Sequence, residues 1–185
     1  EFHRRFYHPS NSYIYLYGDM DIEKTLDYLD REYLSAFDKR NVDSMVKTQA
    51  PFSKRVSLTA PYGIAENEST EGKAIHALYT AFNDHMTTMD SLAFRILNYV
   101  LIDMDGAPLK QAVLDAGLGS DLSGSYGDSY KQPVWIVEAT GSEVDKQSAF
   151  ADVADRTLRS IALKGIDKDM LEAALNRTEF TAREN

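Results

Sequence analysis

Four histidines, His3, His8, His76 and His85, are the side chains from which a metal site or a general base would be built. A zinc site needs a second histidine or a carboxylate at helix spacing, as in H-x-x-E-H, and none of the four has one. His3 and His8 flank RRFY, five apart, a spacing that fits neither one helix face nor one strand face. They read as surface or polar-core histidines. Two Asp-Met-Asp triplets, Asp19–Asp21 and Asp103–Asp105, put carboxylates close together, but further oxygen ligands for magnesium or calcium are missing around them. Their places at element ends point to capping and turning instead. Ser120, Ser123, Ser125 and Ser129 crowd a glycine-rich segment without a G-x-S-x-G elbow or a nearby histidine base.

GLGSDLSG, Gly117 to Gly124, has the glycines of a nucleotide loop in the wrong setting. A phosphate loop follows a strand and opens a helix, so that amides and helix dipole face the anion. This one follows a helical pattern, precedes a strand and carries Asp121. Its glycines predict a helix cap and a place where another backbone comes close.

With no catalytic or metal constellation in view, the bulk properties set the class. The 185 residues are 43% hydrophobic and 26% charged, a globular composition suited to one domain or to one domain plus part of another. Net charge is −9 and the basic residues are scattered, with short pairs at Arg4-Arg5, Lys39-Arg40 and Lys54-Arg55. That distribution disfavours nucleic acid, whose phosphates need a basic patch. Cysteine is absent, which excludes disulfides and thiolate metal sites. No apolar run approaches the ~20 residues of a membrane helix. The start at Glu1 and the helical pattern at the other end suggest a piece of a longer protein.

The elements follow from periodicity. Ser12 to Tyr17 alternates Tyr13, Tyr15 and Tyr17 with Ile14 and Leu16, which predicts a strand broken by Gly18. The three tyrosines would offer a flat, half-polar face suited to peptide contact. Asp21 then caps a helix carrying Ile22, Leu26, Leu29, Tyr33 and Phe37 on one stripe. Residues 38–52 read as a linker ending near Pro51, followed by a short strand at Arg55–Leu58. Ala74–Phe82 predicts a sheet strand, and Met89–Asp103, apolar nearly all round, a buried helix. Pro108 opens a short helix stopped at Gly117. Asp121–Tyr126 and Gln132–Thr140 predict a hairpin. Asp145 begins a helix with Phe150, Val153, Leu158 and Ile161 inward, and Asp167 caps a last helix with Met170, Leu171, Ala174 and Leu175 inward. The fold class is α+β in two layers: a mixed or mostly antiparallel sheet with helices on one face.

Several of these segments, taken in order, resemble the insulinase/pitrilysin family of zinc metallopeptidases, and its presequence-protease branch most closely. They are YHPSN followed by YIYLYGDMD and a helix, then APLKQAVLDAGLG, a glycine-rich strand, a strand opened by Gln-Pro, and a last helix ending EFTAREN. The resemblance spans nearly the whole chain. It implies a clamshell of four related α/β domains enclosing a chamber in which short unstructured peptides are cut, with zinc activating a water. Residues 1–37 would end the catalytic domain, and 53–185 would begin a non-catalytic second domain. The family's inverted H-x-x-E-H and its substrate-binding Arg/Tyr pair belong elsewhere in such a protein, and this sequence contains neither. No catalytic or metal residue is therefore assigned here, and zinc is expected in the parent enzyme but not on this segment.

One feature transfers by position. In insulin-degrading relatives a strand of the second domain anchors a peptide by strand addition in a Leu-x-Gly-Gly context, which falls on Leu122, Ser123, Gly124 and Ser125. Ser125 stands where the family has its second glycine. The resemblance also implies unstructured peptides and the remaining domains of the same polypeptide as partners, while charge and hydropathy point to no nucleic acid and no membrane. The setting would be bacterial cytoplasm, or alternatively a mitochondrial or plastid matrix. Two other readings remain open at this level: a catalytically inactive scaffold or peptide-binding subunit of the same fold, and an independent ferredoxin-like binding module. A segment of a larger protein would expose apolar surface and self-associate.

Overall fold

The computed structural model describes residues 1–184 in two compact units, which divide between Lys47 and Thr48, inside the segment read as a linker. In the first, α1 (Phe2–Phe6) leads into a short 3-10 turn at Pro9–Asn11 and an extended stretch over residues 12–17. Asp21 Oδ1 then accepts the Lys24 amide at 3.1 Å and starts α2 (Ile22–Glu32). The predicted strand at Ser12–Tyr17 is not formed. Its backbone is extended, but no strand among the described residues pairs with it, and a strand is defined by those bonds. The alternation survives in exposure: Tyr13, Tyr15 and Tyr17 are 84% or more exposed, whereas Leu16 is 38% exposed. None of residues 1–47 is buried, so even the apolar stripe of α2 lies open at Ile22 and Leu26. Aromatic contacts hold this unit together instead, with Phe37 edge-on to both His8 and Tyr33.

The second unit contains the core. Three strands, β1 (Ala74–Ala81), β2 (Asp121–Gly127) and β3 (Val134–Ser142), form an antiparallel sheet in the order β1-β3-β2. Four helices accompany it: α3 (Thr88–Asn98), α4 (Pro108–Asp115), α5 (Gln147–Lys164) and α6 (Lys168–Glu184). A π-helical turn, Tyr99–Asp103, prolongs α3. The expected hairpin, helices and Ala74 strand are all present. The short strand expected at Arg55–Leu58 is not. That stretch is irregular and held by side chains, Arg55 pairing with Asp155 at 2.9 Å and Ser57 Oγ accepting from Gln147 at 3.2 Å, rather than by a ladder.

Local chemistry places the helix ends. Thr87 and Asp90 form a reciprocal capping box on α3, each side chain accepting the other's amide. Gly117, at φ +63°, ends α4 as the left-handed cap residue, and Asp167 Oδ1 accepts the amides of Asp169 and Met170 at the start of α6.

One face of the sheet is covered. Leu122, Val137 and Ala139 point into a core shared with Ile102, Leu109, Val113, Phe150 and Ala154. A second cluster joins Ile96 and Val100 to Ala174 of α6. The other sheet face is bare, with Ile75, Tyr79, Ser123 and Ser125 exposed. A register shift opposite Ala74–His76 puts one extra residue on β3 between Ala139 and Ser142, where Gly141 takes φ +68°.

Phe150 is 1% exposed and Leu163, on the same helix, 88% exposed. Phe150→Ala is expected to cost about 3–5 kcal/mol through lost burial and the cavity left behind. Leu163→Ala should cost under about 0.5 kcal/mol. Urea denaturation of the two variants checks the contrast.

Candidate functional site

Helix α3 and the π-turn that prolongs it turn three kinds of side chain in three directions. Ile96 and Val100 face α6, and Phe94, Leu97 and Leu101 line an apolar cavity of about 470 Å3 with Trp135 of β3 and Leu158 and Ile161 of α5. The third stripe, Ser91, Arg95 and Asn98, recurs at four and three residues and faces β2. Ser91 Oγ lies 3.3 Å from Tyr126 Oη, Arg95 pairs with Asp128 at 2.6 Å, and Asn98 Nδ2 donates to the Gly124 carbonyl at 3.3 Å.

Asn98 is the centre of this contact. Its carboxamide is buried (8% exposed), accepts from Trp135 Nε1 at 2.8 Å, and donates to Asp103 Oδ2 at 2.8 Å as well as to Gly124. One side chain thus joins α3, the π-turn, β2 and β3, with both of its polar atoms partnered. Gly124 makes the approach possible. A Cβ there would overlap Ile102 Cδ1 and lie 2.5 Å from Asn98 Oδ1. Gly119 does the same for backbone, since a Cβ would stand 2.8 Å from the Thr140 carbonyl. Gly117 is the helix cap and Gly119 the close backbone approach that the sequence order predicted, whereas Gly124 makes room for side chains.

The sheet order leaves β2 with a free edge, and the hydrogen-bond pattern says which groups line it. In an antiparallel ladder, residues alternate between bonding one neighbour and bonding the other. Phe82 N donates to Pro133 O at 2.9 Å, in the register that pairs Leu78 with Val137, so Trp135, Val137 and Ala139 bond toward β1. The intervening residues of β3 therefore bond toward β2, which agrees with the 2.8 Å bond from Ser120 N to Thr140 O. Their partners are Asp121, Ser123, Ser125 and Gly127. Leu122, Gly124 and Tyr126 are left to point their amides and carbonyls outward.

The four residues assigned by resemblance consequently share a strand but not a direction. Leu122 contributes backbone to the edge while its side chain fills the core at 1% exposure. Gly124 contributes backbone alone. Ser123 and Ser125 are exposed on the bare face, with their main chain turned to β3. Asn98 was missed from sequence. Its signal was a carboxamide in the most apolar helical run of the chain.

The histidines stand apart. His3 stacks on Tyr7, His8 Nδ1 accepts the Ser10 amide, buried His76 bonds the Glu143 carbonyl at 2.8 Å, and His85 lies 3.3 Å from Asp84. Among the described residues no three His, Asp or Glu side chains gather in a way that could hold a metal. These residues do not fit a zinc centre. No helix among them is long and apolar enough to cross a membrane.

With that geometry in place, the sequence matches the family model described as the peptidase M16 inactive domain over residues 1–178. The chain belongs to the peptidase M16 family. This is the insulinase family of the sequence-level resemblance. Among curated proteins, Protein HypA of Clostridium perfringens is 41% identical over all of this chain, which spans 19% of HypA. Presequence protease 1, chloroplastic/mitochondrial, of Arabidopsis thaliana is 31% identical, again over the whole chain and 17% of the relative. The chain thus spans less than a fifth of the length of these curated relatives. The crystal structure of a candidate zinc protease from Bordetella pertussis superposes with a TM-score of 0.52 at 16% identity, over 60% of each chain. The inactive peptidase domain of such a protein from Bordetella parapertussis gives 0.51 at 16% identity, over 60% of this chain and 62% of that one. These two likenesses concern the fold.

The packing of α3 on β2 generates two expectations. Gly124→Ala should destabilise the M16 domain by about 1–3 kcal/mol, because Ile102 and Asn98 have no room to withdraw; thermal unfolding measures it. The second concerns Asp103, whose carboxyl is held above its ordinary value of 3.8 by burial, against the opposing pull of Asn98, Arg177 and Lys110. A raised carboxyl binds its proton more tightly in the folded state, so its contribution is best below that ordinary value and is lost as pH rises through the raised one. Asp103→Asn keeps an acceptor for Asn98 and cannot ionise. Its Tm relative to the unchanged protein is expected to improve between about pH 3.5 and pH 7, as read by thermal scans across that range.

Proposed function

We propose that this chain is a non-catalytic portion of a zinc-dependent endopeptidase that degrades short unstructured peptides in an enclosed chamber, and that the β2 edge anchors such a peptide. Residues 1–37, with α2, would be the C-terminal end of the preceding catalytic domain, 38–52 the linker, and 53–185 the first part of the non-catalytic domain. Zinc would be held by residues outside this chain. The remaining domains of the same polypeptide would be its constant partners, in a bacterial cytoplasm or an organellar matrix.

The observation that carries the reading is the free edge of β2. Three residues in alternation, Leu122, Gly124 and Tyr126, offer main-chain groups to an extended chain, beside a sheet face that no helix covers. Strand addition needs that arrangement: the backbone supplies affinity without demanding a particular sequence, which suits a peptidase acting on many peptides. Ser123 and Ser125, exposed on the bare face next to Tyr79 and Ile136, would meet alternate side chains of the added strand.

Amide hydrogen exchange of the intact protein, with and without excess unstructured peptide, tests this. The amides of Leu122, Gly124 and Tyr126 should slow when peptide is present. Those of Ser123 and Ser125, already bonded within the sheet, should change little. Peptide binding that leaves all three outward amides unprotected would place the anchor elsewhere.

A further inference from the structure

The edge of β2 is not uniform. In an added antiparallel strand, the residue opposite an outward-facing position exchanges two bonds with it, donating its own amide to the carbonyl and accepting from the amide. Opposite Tyr126 both bonds are there to be made, and opposite Leu122 the carbonyl is open while the amide faces the Asp121 carboxylate. Opposite Gly124 one acceptor is already engaged, since Asn98 Nδ2 donates to the Gly124 carbonyl at 3.3 Å. Asn98 is not free to leave. Its oxygen holds Trp135 Nε1, its nitrogen also holds Asp103, and its side chain is wedged against the space a Gly124 Cβ would need.

We infer that Asn98 is a specificity-determining residue of the β2 edge, and that it creates one peptide position, opposite Gly124, at which a residue without a backbone N–H is accepted. The substrate class that follows is an extended peptide with proline, or another N-substituted residue, at that place. The same residue opposite Leu122 or Tyr126 would leave a carbonyl without its donor. The inference rests on the proposed use of this edge and adds to it a rule about sequence.

N-methyl scanning tests it with any unstructured peptide that binds, whatever the natural substrate. A synthetic peptide is prepared in versions each bearing one N-methylated amide, and binding to the intact protein is measured by fluorescence anisotropy. An unmodified strand edge with three outward residues gives sensitive positions at every second residue. Here the middle one should be silent, so that the two sensitive positions are four residues apart, each losing about fivefold in affinity, a typical net worth of one hydrogen bond. Asn98→Asp retains the acceptor for Trp135 but, when ionised, has no donor for Gly124. In that variant the middle position should become sensitive too. The pattern in the unchanged protein stands as a test even where the variant fails to fold.

Sensitivity at three positions spaced by two in the unchanged protein overturns the role of Asn98 and leaves the edge site standing. Binding that no single N-methyl group weakens removes the edge site, and the inference with it.

Discussion

How closely α3 can approach β2 decides most of what else this domain does. The distance is set by a missing side chain at Gly124 and by a buried carboxamide that fills the space. An amide taken out of water and left unpaired costs on the order of 1–3 kcal/mol, so a buried asparagine is kept only where its partners are fixed. Asn98 has three, on three different elements, and each limits where the others can stand. Apolar packing by Ile102 and Leu122 brings helix and strand together. The carboxamide then selects one alignment among the many that greasy surfaces would tolerate.

Elements whose identity is written in local pattern were legible from sequence. The β2–β3 hairpin, the Pro108 helix with its Gly117 cap, the Phe150 stripe of α5 and the Asp167 cap all depend on neighbours within a few residues. Ser12–Tyr17 and Arg55–Leu58 have equally good alternation and are not strands. Period two reports which side of a segment is apolar, and says nothing of whether another strand lies alongside to complete its hydrogen bonds. Sheet membership is a non-local property, and nothing in the local residues encodes the partner.

The site was legible in a different sense. Leu122 to Ser125 could be assigned as a strand by pattern and as a peptide anchor by resemblance. Which of those residues turn their backbone outward depends on the phase of the β1–β3 ladder, set by a strand far away in the chain. Asn98 is visible in the sequence as a polar residue in an apolar helix, but only the sheet shows which groups it serves. The family membership explains the order of elements. It does not predict that one carbonyl of the edge is already spoken for.

A sheet of three strands has two edges, and a bare edge is a template for uncontrolled self-pairing as much as for a ligand. Opposite the start of β1, strand β3 carries one extra residue between Ala139 and Ser142, whereas β1 itself runs in unbroken register from His76 to Ala81. β2 keeps a regular register from Asp121 to Gly127. Along that edge the Gly124 carbonyl already accepts a hydrogen bond from Asn98. The same hydrogen bond that aligns the helix thus occupies one acceptor on the edge.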